Sequence, residues 1–125
     1  MKREYIGDYG EMCAARYLRG RGVRLIASRY RTRFGEIDLI LQDGEFLAFA
    51  EVKTRSSGMM AAPMESVDGE KRRKLILTAD AYLSAKQIAP PCRFDVLEVY
   101  LDGGGQVRRI NWIKDAFDAE IPMNI

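Results

Sequence analysis

Apolar and polar residues along the chain follow two different periods. Ile6, Tyr9, Gly10, Cys13, Ala14, Tyr17 and Leu18 recur at the spacing of one helix face, and Gly20-Arg21-Gly22 supplies the stop. Val23 to Arg31 reads as a first strand. Gly35 to Leu41 reads as a second, with Ile37, Leu39 and Leu41 alternating against Glu36 and Asp38. Gln42-Asp43-Gly44-Glu45 predicts a hairpin turn. Phe46 to Lys53 is then a third strand, almost continuously apolar, as in a strand covered on both faces. Ser56 to Met64, rich in small residues and methionine, predicts a mobile loop. A second helix is expected from near Asp68 to about Lys86, on the stripe Leu75, Ala79, Tyr82 and Leu83. Arg93 to Leu101 follows as a fourth strand. Asp102-Gly103-Gly104-Gly105 is a turn without the strand-to-helix context of a phosphate loop. Val107 to Ile110 is a short fifth strand, and Lys114 to Phe117 starts a last helical turn before a frayed tail at about 118–125. The order α-β-β-β-α-β-β predicts a single α/β domain over residues 1–125.

Composition agrees and removes several function classes. The 125 residues suit one ordinary domain, and 47% hydrophobic with 30% charged residues is a soluble composition. Met1-Lys2-Arg3-Glu4 gives no apolar start of a secretory signal. The longest apolar run, Phe46 to Ala50, falls far short of the ~20 residues of a membrane helix, so no membrane partner is expected. Cys13 and Cys92 lack metal-ligand spacing and predict a reduced, cytoplasmic location, with both thiols buried as small apolar side chains. Histidine is absent. That excludes Ser-His-Asp and Cys-His chemistry and leaves carboxylates, lysine, tyrosine or a hard, oxygen-loving cation.

A net charge of +2 decides nothing by itself, but its distribution is uneven. No acidic residue falls between Glu11 and Glu36, a stretch that holds Arg16, Arg19, Arg21, Arg24, Arg29, Arg31 and Arg33. Such a block is either a solvated basic surface or a phosphate-binding face. The interleaved Tyr17, Tyr30 and Phe34 favour nucleic acid, because bases stack on such rings.

Charged residues inside apolar strands are the sharper signal, since they are seldom buried without a partner or a metal. Asp38 lies within Ile37-Asp38-Leu39-Ile40, and Glu51 and Lys53 end the run Phe49-Ala50-Glu51-Val52-Lys53. With Asp43-Gly44 as turn residues, Asp38 falls opposite Phe49 and Glu36 opposite Glu51. Asp38, Glu51 and Lys53 then share one face, and Asp38 and Glu51 are diagonal neighbours able to share a cation. Phosphodiester hydrolysis uses such a set: Mg²⁺ or Mn²⁺ on the carboxylates, with the lysine positioning water or stabilising developing charge. An ordinary Glu-x-Lys surface ion pair is the competing reading of Glu51 and Lys53. Glu11, at the edge of the first helix's apolar stripe, is either a fourth member or a surface carboxylate beside an arginine. Lys71 stands in the basic first turn Lys71-Arg72-Arg73-Lys74, which opposes the helix dipole; a phosphate or plain solvation would relieve it.

Gly10-Glu11, Ala14, Tyr17-Leu18, Tyr30-Arg31, Gly35-Glu36-Ile37-Asp38-Leu39-Ile40 and Phe49-Ala50-Glu51-Val52-Lys53-Thr54-Arg55 together resemble the YraN-like family, as do Arg93-Phe94-Asp95-Val96 and Ala116-Phe117. These are small bacterial proteins of unassigned function. The resemblance implies a restriction-endonuclease-like fold, a mixed central sheet flanked by helices. The pattern is similar to the PD-(D/E)XK nucleases, and especially to archaeal Holliday junction resolvases, with Ile37 where the motif's name has proline. By that similarity Glu11, Asp38 and Glu51 are metal-site acids and Lys53 the catalytic lysine, while Glu36 and Lys71 match accessory positions. Arg55 ends the motif and joins Arg16, Arg29, Tyr30, Arg31 and Arg33 as expected nucleic-acid contacts. The expected function is a Mg²⁺-dependent endonuclease on DNA, ahead of RNA, including branched or junction DNA. The alternative is a catalytically silent nucleic-acid-binding module of a repair or processing complex. A third reading is an interaction domain without nucleic acid. Dimeric resolvases leave a homodimer open.

Overall fold

The computed structural model describes residues 3–56 and 68–119. Past Ser56, the loop predicted up to Met64 lies outside the described residues, as does the tail from residue 120. The elements are α1 (Arg3–Gly20), β1 (Arg24–Thr32), β2 (Gly35–Asp43), β3 (Phe46–Ser56), α2 (Gly69–Lys86), β4 (Cys92–Leu101) and β5 (Val107–Phe117). They form a five-stranded sheet in the order β1-β2-β3-β4-β5. Only β3 and β4 run parallel, and that pair needs a crossover, which α2 supplies. The fold is the expected mixed α/β sheet with two flanking helices. No helix among the described residues is long and apolar enough to cross a membrane.

Each helix closes one apolar face. Ala14 and Leu18 of α1 pack with Leu39, Leu41, Ala48, Ala50, Leu97 and Val99. Leu75, Ile76, Ala79 and Tyr82 of α2 pack on the other side with Ile40, Phe49, Phe94 and Phe117. A string of rings crosses this second face. Tyr30 meets Tyr82 at 5.1 Å, Tyr82 meets Phe49 at 6.0 Å, Phe49 meets Phe94 at 5.7 Å and Phe94 meets Phe117 at 4.9 Å. Such pairs contribute about 0.5–1.5 kcal/mol each beyond area burial. Gly10 sets the distance of α1 from the sheet: a Cβ there would stand 1.8 Å from Thr54 Oγ1. Glycine therefore brings the α1 backbone, and Glu11 with it, onto the end of β3.

Two predicted details change. Asp43 pairs with Phe46, so Gly44-Glu45 is the two-residue turn, with Gly44 at φ +60° where a type II′ hairpin needs it. Every partner across β2–β3 therefore moves by two residues from the predicted register. A shift of two keeps each side chain on its face; a shift of one would have exchanged the faces. The second change is at the C-terminus. Lys114 to Phe117 are not helical but complete β5, Phe117 pairing with Phe94. Of the thiols, Cys13 is half-buried and Cys92 exposed, its Sγ donating to Pro90 O, so burial of both does not hold.

The alternation breaks at one place. Ile40 and Ile37 both join the α2-side cluster while Leu39, between them, joins the α1 side. In β1, Ala27 and Tyr30 both lie on the α2 side. The skipped positions are Arg29 and Asp38, level with each other between the pairs Ser28↔Leu39 and Tyr30↔Ile37. Arg29 adopts φ +51°, a left-handed conformation that is uncommon for a side-chain-bearing residue.

Candidate active site

Asp38 sits where the β2–β3 ladder opens. Leu39↔Ala50 is its last backbone pair, and the register then brings Asp38 level with Glu51. In place of a further ladder bond, Asp38 Oδ2 accepts the Val52 N–H at 2.8 Å. By that register the two positions are level rather than diagonal as expected, and the charge of Glu51 reaches Asp38. Burial pushes the Asp38 carboxyl up to about 6; the Val52 N–H opposes that, and the charges of Glu51, Glu11 and Glu36 add to it.

Glu51 is only 7% exposed. Its Oε1 takes both cations: Lys53 Nζ at 3.4 Å and Lys71 Nζ in close contact from the first turn of α2. Its Oε2 is buried and has no hydrogen-bond partner. Asp68 caps α2 by accepting the Lys71 N–H at 2.8 Å, which fixes that first turn over the end of β3. The unfavourable basic start of α2 is relieved by this cap and by Glu51. The two lysines are driven apart. Burial, reinforced by the Lys71 ammonium, holds Lys53 below the usual lysine range although Glu51 opposes it. Burial also disfavours charge on Lys71, but its bonds to Glu51 and Lys53 and the charges of Glu51 and Asp38 outweigh that and raise it.

Glu11 approaches from α1 but is turned toward Arg29, whose Nε donates to it at 2.9 Å while Nη2 meets Asp8 one turn earlier. Glu36 is not opposite Glu51. It pairs with Arg31 on β1, the two side chains 3.4 Å apart. Among the described residues no three carboxylates, cysteines or histidines stand close enough to hold an ion by themselves.

The arginine block is divided by the fold. Arg29 is drawn to α1, Arg31 to Glu36, Arg33 lies over the Phe34 ring at 4.8 Å and Arg21 over Tyr17 at 4.4 Å. Arg16 is exposed on α1. The Tyr30 ring is committed to Tyr82 in the core. Arg55 stands two residues beyond Lys53 on the same face of β3, and its Nη2 is buried without a hydrogen-bond partner.

Among the described residues two more carboxylates are buried, Asp95 at 1% and Glu98 at 2% exposure. Both interrupt the apolar run Phe94-Asp95-Val96-Leu97-Glu98-Val99, the signal that marks Asp38 and Glu51, and sequence reasoning passed over them. Asp95 is fully partnered by Arg93, the Trp112 Nε1–H at 2.9 Å and the Asp115 N–H at 3.0 Å. Arg93 also bonds Asp43 at 2.7 Å, tying β2 to β4 across β3 and holding the Asp43 carboxyl below its usual range. Glu98 accepts from Asn111 Nδ2 at 3.0 Å and lies level with Lys53 on the parallel strand. The contrast is with Glu51: Asp95 is a satisfied structural knot, while Glu51 keeps one oxygen bare.

A sequence profile described as "Uncharacterised protein family UPF0102" matches residues 10–99, a span that holds Glu11, Asp38, Glu51, Lys53 and Lys71. The UPF0102 protein of Moorella thermoacetica is 43% identical over 118 residues, covering 94% of this chain and 98% of its own. The UPF0102 protein of Symbiobacterium thermophilum is 45% identical over 115 residues, covering 91% and 97%. That of Ectopseudomonas mendocina is 38% identical over 116 residues, covering 91% and 95%.

Proposed function

For a chain that belongs to the uncharacterised protein family UPF0102 the function has to be read from its own residues, and we propose a Mg²⁺-dependent endonuclease acting on DNA. The observation that carries this reading is the bare, buried Glu51 Oε2 beside Asp38. A buried acceptor without a donor is costly, as are two carboxylates held side by side. A divalent cation answers both, and a set of carboxylate oxygens without histidine suits Mg²⁺ or Mn²⁺. Asp38 and Glu51 would hold it, with Glu11 as third ligand once released from Arg29. When bound, the ion supplies charge neutralisation at the phosphodiester and a more acidic water.

The remaining chemistry belongs to the side chains. Lys53, a compact cation paired with Glu51, would position the attacking water or stabilise the charge that develops in the transition state. Lys71 stays an ammonium and holds Glu51 by Oε1, which leaves Oε2 without a donor. The Val52 N–H fixes the Asp38 carboxylate. Branched DNA is among the substrates this reading admits, on the resemblance to resolvases; a junction has two scissile strands and would engage two copies of the chain. A reduced, cytoplasmic setting suits the two free thiols.

A second reading rests on its own observation. Lys53, Lys71 and Arg29 already neutralise Glu51 and Glu11, which suits a nucleic-acid-binding module that keeps the fold and cuts nothing. Calorimetric titration with Mn²⁺ tests the nuclease reading at its root. Heat of binding that disappears in Glu51→Gln supports it, and a wild-type protein that takes up no ion refutes it.

A further inference from the structure

The ladder β3-β4-β5 aligns three residues beyond the proposed centre. Arg55 is level with Tyr100 and Tyr100 with Arg109, so their side chains share one face of the sheet. It is the face of Glu51 and Lys53, since β3 alternates without interruption through that stretch. Arg109 is exposed and stacks on the Tyr100 ring, 4.4 Å from guanidinium carbon to ring centroid. Arg55 is half-buried, and its buried Nη2 has no acceptor. A guanidinium at a partly desolvated position without an acceptor asks for an anion, as Glu51 Oε2 asks for a cation. The two unmet demands lie on one strand face, with Lys53 between them. A phosphodiester strand meets both: one phosphate at the carboxylates, a neighbouring one at the arginines, where the planar fork can bind two oxygens at once.

We propose that Arg55 and Arg109, braced by Tyr100, form a phosphate subsite that holds the DNA backbone beside the Asp38–Glu51 centre. The grip on the substrate then lies at the β3–β5 end of the sheet, away from the arginine block of β1, where Arg29 and Arg31 are spent on Asp8, Glu11 and Glu36. This deepens the nuclease reading and rests on it for the identity of the polymer.

The test measures binding of a fluorescently labelled duplex oligonucleotide in EDTA, by anisotropy across a KCl series, so that cleavage plays no part. Arg55→Ala and Arg109→Ala should each weaken binding and lower the salt slope by about 1, as expected for one lost phosphate contact. Arg55→Lys should keep the slope while losing part of the affinity. Arg109 is on the surface, so its variant reports even where loss of Arg55 disturbs folding. Folded variants with unchanged affinity and slope would overturn the subsite, as would a wild-type protein that does not bind the duplex. Lowered slopes in a protein that never cleaves with Mg²⁺ or Mn²⁺ would uphold the subsite and sink the nuclease reading alone.

Discussion

Replacing Asp38 by Asn should stabilise the metal-free protein at neutral pH while abolishing the proposed cleavage. The amide is nearly isosteric and keeps an oxygen for the Val52 N–H, which lies 2.8 Å from the carboxylate in the native chain. What it removes is a charge that burial disfavours. The Asp38 carboxyl stands at about 6, against an ordinary 3.8. At ~1.4 kcal/mol per unit, holding it ionised costs the fold up to about 3 kcal/mol. The sign follows from which state binds the proton more tightly. Here it is the folded state, so this group's contribution is fully present below about pH 4 and is lost as pH rises through 6. Without metal, the wild-type unfolding free energy should therefore fall between those limits relative to Asp38→Asn, and the variant should be the more stable at pH 7.5. Urea unfolding in EDTA at a series of pH values measures it. Saturating Mg²⁺ should restore stability to the wild type and leave the variant unchanged, since only a state that binds the ion is stabilised by it. Parallel pH profiles for the two proteins, or an Asn variant less stable at pH 7.5, would refute the reasoning.

Other substitutions probe the frame around the site. Gly10→Ala puts a Cβ into Thr54 and should cost about 1–3 kcal/mol by denaturant unfolding, with partial recovery in the double variant with Thr54→Ala. Asp95→Ala leaves Arg93 with Asp43 alone and takes the acceptor from the Trp112 Nε1–H and the Asp115 N–H, and a loss of about 1–3 kcal/mol is expected in the same assay. Lys71→Ala removes a neighbouring ammonium from Lys53, so the Lys53 pKa followed by NMR titration should rise toward the usual lysine range; an unchanged or lower value would contradict the coupling of the two lysines.

The hydrophobic pattern made the helices legible because each presents a stripe to one of two clusters, and the first four strands legible because their apolar residues feed both. The sequence places the turn one residue early because Asp43-Gly44 and Gly44-Glu45 offer the same glycine, and only the pairing of Asp43 with Phe46 decides between them. The even shift leaves the parity of β3 unchanged and moves Glu51 from the diagonal of Asp38 to its level. The end of β5 was hidden by Asp115, whose φ of +53° accompanies a register shift and breaks the alternation that would mark a strand. Arg29 could not be placed from the sequence at all. Its partners Asp8 and Glu11 lie one helical turn apart on α1, and only the packing of Gly10 on Thr54 brings them within reach. Lys71 stands out in the sequence for a helix-dipole conflict, and its relief comes from Glu51, a strand residue twenty positions earlier.

The central claim is that Asp38 and Glu51 are the metal-holding heart of a DNA-cutting site. The most direct measurement is cleavage of branched, flapped and linear DNA by the wild-type chain with Mg²⁺ or Mn²⁺, beside Asp38→Asn and Glu51→Gln prepared identically. Metal-dependent cutting by the wild type that both substitutions abolish is the predicted result. Cutting that persists in the variants, or a wild-type chain inert with both metals on all three DNAs, would contradict it.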